Sequence, residues 1–177
     1  MKTIVLMRHA KSDRKTKKLR DIERPLNKRG LRDAAEMGTY MKSSQVKIQL
    51  ILSSPAIRAL KTAELVAGEL NIDYNEIITD PNLYLESKST IMNCIKKLDD
   101  IYESIFIVSH NPGLTDLVNY ITIETIKNIP TSGIVAMRVD VQNWAELDMG
   151  NWELIFFESP KKLRTAVENL KEEEIQS

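Results

Sequence analysis

Short apolar runs alternate with amphipathic segments along most of the chain. The short, β-branched runs are typical of buried strands, whereas apolar residues spaced three and four apart indicate helices. This pattern predicts strands at 3–7, 50–52, 77–78, 105–108, 134–141 and 152–157. It predicts helices at 30–41, 57–70, 90–98, 112–120 and 161–174. Such an alternation is typical of an α/β fold, a three-layer sandwich with a mostly parallel central sheet and helices on both faces.

Polar residues predict how several of these elements begin and connect. Ser89 is expected to cap the third helix, and Asn111 the fourth, with Pro112 at its first position. The polar, basic segment 11–29 predicts a long loop. The last two strands are expected to pair as a hairpin that turns near Gly150.

The length and composition indicate one globular domain over residues 1–177. The single cysteine, Cys94, excludes an internal disulfide framework and a cysteine-based zinc cluster. No apolar run has the 18 or so residues of a membrane helix, and none resembles the core of a signal peptide. We therefore expect a cytoplasmic protein without membrane contact, whose oligomeric state the sequence leaves open.

The charge is balanced over the whole chain but not along it. The 25 basic and 25 acidic residues cancel, so no nucleic-acid partner is indicated. Residues 1–32, however, carry twelve lysines and arginines against three acids. The basic loop either steers an anionic substrate or is simply a solvated surface, and the sequence favours neither.

Both histidines of the chain follow predicted strands. His9 comes directly after the first strand, beside Arg8, and His110 follows the fullest apolar strand; Arg58 lies just after the second strand. Ligands bind at the carboxyl ends of strands in open α/β sheets. Either histidine alone also fits an ordinary buried or surface position, but two imidazoles and two guanidiniums together suit a phosphoryl group and would repel a metal cation.

Three segments resemble the motifs of the histidine phosphatase superfamily. They are Arg8-His9-Ala10, the stretch from Leu52 to Glu64 with Arg58 at its centre, and Ser109-His110-Asn111-Pro112-Gly113. Together with residues 21–30, they are most similar to the phosphohistidine phosphatase (SixA-type) branch. The resemblance covers roughly residues 3–140 and implies a phosphoglycerate mutase-like fold.

The resemblance also implies the roles of four residues. His9 would be the nucleophile that forms a phosphohistidine intermediate, while Arg8, Arg58 and His110 would hold the phosphoryl oxygens, with no metal or cofactor required. Ala10 stands where the common motif has glycine, which predicts an ordinary backbone conformation at that turn.

The proton donor to the leaving group is less defined. Glu86 is a candidate, with Asp13 and Asp21 as rivals, and each also fits a solvated loop acid. Residues 131–133 either border the pocket or form a plain turn.

The chain has no segment for a capping subdomain, so we expect an open pocket that takes phosphohistidine on a protein. The alternatives are a broad phosphomonoesterase for small phosphates and a non-catalytic module that binds phosphate or a phosphoprotein. A phosphoglycerate-type mutase fits less well because it needs a closed pocket, and no dinucleotide-binding or P-loop motif occurs.

Overall fold

The computed structural model describes residues 1–14, 18–123 and 125–176, with side chains up to residue 170. Six strands form in chain order: β1 Lys2–Arg8, β2 Leu50–Ser53, β3 Ile77–Thr79, β4 Ser104–Ser109, β5 Ile134–Val139 and β6 Trp152–Glu158. The α-helices are α1 Lys28–Ser43, α2 Ile57–Leu70, α3 Lys88–Lys96, α4 Gly113–Ile121 and α5 Pro160–Gln176. Short 3-10 helices lie at Asp21–Glu23, Tyr74–Glu76, Pro81–Leu83 and Trp144–Met149.

The strands form one sheet in the order β3-β2-β4-β1-β5-β6. The first four run parallel, while β5 and β6 are antiparallel to their neighbours. Arg8 on β1 lies beside Ser109 on β4, and Ser53 on β2 lies beside Val108. The carboxyl ends of β1, β2 and β4 therefore meet at one edge, and the predicted α/β sandwich is confirmed.

Apolar side chains are buried on both faces of the sheet because successive strand residues point to opposite sides. Val5 and Phe106 pack with α1 and α2, whereas Leu6 and Ile107 pack with α3 and α4. Each such side chain stabilises the fold by about 1.5–3 kcal/mol relative to leaving it in water. The two cores hold β1 and β4 rigidly between helical layers.

Two helix starts differ from the sequence expectation. The third helix is capped by Ser87, whose hydroxyl accepts from the Thr90 amide, so Ser89 lies inside the helix. The fourth helix begins at Gly113, and Pro112 takes the cap position. Asn111 does not cap this helix because its side-chain amide donates to Asn128 and to the Ile129 carbonyl.

The last two strands pair as predicted, but their connection is not a tight turn. It contains the 3-10 helix Trp144–Met149, and the Trp144 ring is fully buried. The indole N–H donates to the carbonyl of Tyr102 at 3.0 Å, which satisfies its one polar atom. Within the described residues, no helix has the length and apolar character needed to cross a lipid bilayer.

Candidate active site

His9 directly follows β1, and backbone hydrogen bonds hold this segment on both sides. The His9 amide donates to the Ser109 carbonyl at 3.0 Å, and the Arg8 amide donates to Gly133 at 3.1 Å. The amide of Ser132, a residue with a left-handed backbone, donates to the Arg8 carbonyl. Because parallel and antiparallel neighbours both bind this segment, the His9 backbone has little freedom.

The His9 ring has a defined protonation state. Its Nδ1 lies 2.8 Å from the Ala10 carbonyl, which only accepts, so Nδ1 carries the proton. The Ala10 amide in turn donates to the hydroxyl of Thr62 at 3.0 Å. Ala10 has no left-handed backbone, as expected. Nε2 therefore carries a lone pair, which accepts a long hydrogen bond of 3.3 Å from Arg58 Nε.

His110 faces His9 across the same space. The two ring centroids are 4.9 Å apart, and the Tyr84 ring packs edge-on against His110 at 5.5 Å. His110 Nε2 lies 2.8 Å from the Ser54 hydroxyl, which can donate or accept. His110 Nδ1 points towards Arg58 Nη2 at 3.4 Å.

Both imidazoles are neutral near pH 7. Burial lowers the pKa of His9 to about 4, against a rise from its contact with Ala10, and Arg58 and Arg8 lower it further. Burial lowers the pKa of His110 to about 3, and the adjacent His9 and Arg58 add to this effect. A neutral imidazole with a free lone pair is a nucleophile.

The two arginines are held differently. Arg58 is buried, and its terminal nitrogens donate to the carbonyl and carboxylate of Asp21 at 2.5 and 2.8 Å. Arg8 donates through Nη1 to the Ile129 carbonyl at 2.8 Å, while its buried Nε has no hydrogen-bond partner among the described residues. Burial, followed by the nearby Arg14, lowers the pKa of Arg8.

These groups surround a cavity of about 270 Å³. Its lining also includes Lys11, Arg14 and Arg24, so five cations face it, and Asp21 is the one acid among its described lining residues. The described residues contain no cluster of three or more histidine, cysteine or acidic side chains that could hold a metal. The cavity is therefore strongly cationic and suited to an anion.

The three candidate acids have different positions. The structure does not bring Glu86 to the cavity: its side chain is exposed, and its carboxylate accepts from Thr90 at 3.4 Å. The Glu86 carbonyl lies so close to Gly113 that a Cβ there would come within 2.1 Å, which fixes this backbone. Asp13 is also outside the lining, whereas Asp21 belongs to it.

The sequence did not point to several residues that contact the two histidines and the two arginines of the site. Thr62 and Tyr84 had no recognisable signal, although Thr62 lies one helical turn after Arg58. Ser54 belongs to the turn after β2, where a site was already expected, so its hydroxyl was a reasonable candidate. Thr131 lines the cavity, which favours the first of the two interpretations of residues 131–133.

Comparisons with known proteins agree with this geometry. The model of the histidine phosphatase superfamily, branch 1, matches residues 4–84. An uncharacterized protein of Mycobacterium leprae is 29% identical over an alignment of 167 residues that covers 88% of this chain and all of the relative.

Two solved structures are similar over nearly their whole length. The protein histidine phosphatase SixA in complex with tungstate is 25% identical, with a TM-score of 0.78 over 91% of this chain and 99% of that one. The SixA structure from Agrobacterium tumefaciens is also 25% identical, with a TM-score of 0.77 over 90% of this chain and 98% of that one. The likeness therefore extends well beyond the segment that the family model matches.

Proposed function

We propose that this chain, which belongs to the histidine phosphatase superfamily and is similar to its SixA-type branch, removes phosphate from phosphohistidine on a protein. That the chain is a phosphohydrolase follows from the family and from its structural neighbours. The phosphohistidine substrate, the covalent route and the roles of the individual residues are our proposal. One observation carries it: the neutral His9 ring presents its Nε2 lone pair to a cationic cavity beside Arg58 and His110.

The first step is attack by His9 on the phosphorus atom. His9 Nε2 forms a bond to phosphorus while the bond from phosphorus to the substrate nitrogen breaks, and the electron pair of that bond leaves with the imidazole. Water then attacks the phosphohistidine, the bond from phosphorus to Nε2 breaks, and inorganic phosphate and neutral His9 result. Proton transfer from Nδ1 is not needed because the Ala10 carbonyl keeps that proton in place.

The charge of the transferring group is matched by Arg8, Arg58 and His110. The arginines stabilise the negative charge on the phosphoryl oxygens. Preorganised donors of this kind usually make the largest single contribution to lowering the activation barrier. His110 can donate from Nδ1 when the Ser54 hydroxyl donates to Nε2 instead of accepting from it. Donation to an incoming anion therefore requires the His110 tautomer with its ring proton on Nδ1, as well as a Ser54 hydroxyl rotated to donate to Nε2.

The leaving group explains why the pocket needs no carboxylic acid. An imidazole leaving group departs as a neutral molecule when its other ring nitrogen is protonated, whereas an alkyl oxygen needs a proton from the enzyme. Asp21, the one acid among the described lining residues, is held as an anion. Burial opposes this, but hydrogen bonds from Tyr84 and Arg58 lower its pKa overall. These facts favour phosphohistidine over alkyl phosphates.

The size of the cavity supports the same substrate. Pockets that enclose whole small molecules have about 300–1,000 Å³. The 270 Å³ here is enough for a phosphoryl group and the end of a side chain. Exposed basic residues such as Lys18 and Arg20 lie on the adjoining loop, where an acidic protein surface would bind.

The test compares wild type with His9→Ala on a phosphohistidine protein and on p-nitrophenyl phosphate, in the presence of a chelator. We expect wild type to prefer the protein substrate, and His9→Ala to lose at least about 1,000-fold in kcat while its melting curve stays cooperative. An acid-labile, base-stable phosphate label should form on wild type only. Glu23→Gln, at a half-buried residue outside the cavity lining, serves as the control and should retain full activity.

Three results would contradict the proposal. Turnover that survives His9→Ala would exclude the covalent route, and preference for small phosphates would favour a phosphomonoesterase. Phosphate binding without turnover would favour a binding module.

A further inference from the structure

Arg58 is a buried cation whose position depends on one flanking acid. Its side chain is 2% exposed, and in the described part of the cavity lining only Asp21 offers a negative charge. A buried charge is costly unless it is paired and hydrogen-bonded. The pairing with Asp21 therefore determines where the guanidinium lies.

The contacts divide the planar guanidinium into two edges. The end of the group, formed by Nη1 and Nη2, donates to the Asp21 carbonyl at 2.5 Å and to its carboxylate at 2.8 Å. The side edge, formed by Nε and Nη2, points at His9 Nε2 at 3.3 Å and at His110 Nδ1 at 3.4 Å. Asp21 thus holds the end edge with short bonds, while the side edge makes only long ones.

The space beside the side edge is where a phosphoryl group attacked by His9 must lie. Nε and Nη2 are a parallel pair of donors, the geometry that matches two phosphate oxygens. Two weak contacts to imidazole nitrogens are easily exchanged for two charge-assisted bonds to oxygen. The end edge can remain on Asp21 throughout.

We propose that Asp21 is a positioning residue that fixes the end of the Arg58 guanidinium, so that its side edge is directed between His9 and His110. This assignment rests on the proposed function, because it takes His9 as the residue that receives the phosphoryl group. It gives Asp21 a role other than that of a proton donor.

The Asp21 carboxylate is itself held by one further hydrogen bond and one further ion pair. The Tyr84 hydroxyl donates to Oδ2 at 2.9 Å, and Arg24 Nε lies 3.3 Å from Oδ1. The lowered pKa of Asp21 agrees with a carboxylate that stays charged. Tyr84 also packs against His110, so one side chain connects the Asp21 clamp with the second imidazole.

The experiment is a double-mutant cycle with Asp21→Asn and Arg58→Ala, assayed on p-nitrophenyl phosphate and on phenyl phosphate. We expect Asp21→Asn alone to lower kcat/KM by about 10–100-fold, equally on both substrates. In the Arg58→Ala background, Asp21→Asn should change kcat/KM by less than about twofold, because its effect passes through Arg58. The matched control is Glu23→Gln, on the same 3-10 helix and paired with Arg20.

Binding of inorganic phosphate, measured by calorimetry, gives a readout that needs no turnover. Loss of a negative charge by itself would tighten the binding of an anion. We expect Asp21→Asn to weaken phosphate binding about tenfold when Arg58 is present and to leave it unchanged in the Arg58→Ala background. This result would report the lost orientation of Arg58. Tyr84→Phe should weaken binding in the same direction but less, since one hydrogen bond to the carboxylate is removed.

Each other outcome overturns the assignment. A larger loss on phenyl phosphate, the poorer leaving group, would make Asp21 a proton donor. Equal losses with and without Arg58, tighter phosphate binding, or a lowered melting temperature with unchanged kcat/KM would each exclude a positioning role. If wild type hydrolyses neither aryl phosphate, kcat/KM is measured on the phosphohistidine protein instead. Inactivity on that substrate as well would overturn the proposed function, while the calorimetric cycle still decides the role of Asp21.

Discussion

Two clusters, each of one aspartate with neighbouring arginines, lie in different parts of the molecule and are built in opposite ways. Asp33 on α1 is 1% exposed and pairs with Arg29, Arg32 and Arg164, all of which reach solvent. At the cavity, Arg58 is 2% exposed, and its partner Asp21 is 45% exposed. One cluster buries the anion and the other buries the cation.

The difference separates a structural ion cluster from a binding site. The buried Asp33 carboxylate is surrounded by donors and joins α1 to α5, so nothing further can bind there. The buried Arg58 keeps one edge turned towards the cavity. An oriented, partly satisfied cation attracts an anionic ligand, whereas a fully satisfied anion stabilises the fold.

The largest expected effect on stability is at Asp33. Asp33→Asn removes the buried charge that three arginines share, and we expect the free energy of unfolding to fall by roughly 3 kcal/mol. Urea unfolding followed by circular dichroism measures the change, and kcat/KM of the folded protein should not alter. Asp21→Asn is the contrasting variant and should cost less, because the Asp21 side chain is 45% exposed and its backbone carbonyl still accepts from Arg58. Equal losses in the two variants would remove the distinction.

The next effect is the response to pH. The pKa of His9 is lowered to about 4 and that of His110 to about 3, so between pH 6.5 and pH 4 the unfolded chain binds more protons than the folded one. Stability should therefore fall from pH 7 to pH 4.5 by about 2.5 kcal/mol for each of the two histidines.

The loss of stability that the histidines cause is distinct from the loss expected at the Asp33 cluster. Burial opposes ionisation of Asp33, but Arg164 and Arg32 lower its pKa overall, so its contribution is lost only below pH 3.8. Urea unfolding at a series of pH values measures both, and His9→Asn should flatten the slope above pH 4.5. An unchanged slope in that variant would contradict neutral burial of His9.

A smaller effect is expected at Arg164. Its guanidinium bridges Asp33 and Glu36 on α1 from α5, and it is about one third exposed. Arg164→Ala should lower the free energy of unfolding by about 1 kcal/mol, because Arg29 and Arg32 remain beside Asp33. Lys161→Ala, an exposed residue on the same helix, is the control. A loss as large as that of Asp33→Asn would mean that Arg164 alone carries the cluster.

The smallest effect is expected from salt. Lys11 and Arg14 line the cavity in a chain without net charge, so their influence on an anionic substrate is local. Raising the salt concentration from about 0.05 to 0.5 M should lower kcat/KM about threefold, with little change in kcat. The double variant Lys11→Gln/Arg14→Gln should reduce this dependence. Salt-independent kinetics would mean that the basic loop is only a solvated surface.

The strands and helices were largely predictable because each has a strong local pattern. The apolar run at 105–108 and the two strand ends that carry histidine are sufficient to predict that His9 and His110 share one edge of the sheet. Sequence reasoning failed where local signals competed: Ser87 and Ser89 are both good caps, and the structure uses Ser87.

The acid of the site could not be predicted in the same way. Asp21 contacts Arg58, which lies 37 residues further along the chain, and the loop that carries Asp21 has no periodic sequence pattern from which its path could be predicted. Glu86 lay in a plausible stretch, but close packing of its carbonyl on Gly113 fixes a backbone whose side chain bonds Thr90 instead. Contacts between a loop and a distant helix depend on the assembled fold, which no spacing encodes.

The central place of β1 has a consequence for how the protein loses activity. β1 is hydrogen-bonded on both edges, to β4 and to β5, and it is covered on both faces. Its amide protons should exchange with solvent only when the whole molecule opens, whereas those of the exposed turn at Asp21–Glu23 should exchange through local opening. His9 thus lies beside the slowest-exchanging part of the chain, whereas Asp21 lies in a fast-exchanging one. His9 should therefore keep its position when the turn at Asp21–Glu23 opens locally, and lose it only on global unfolding.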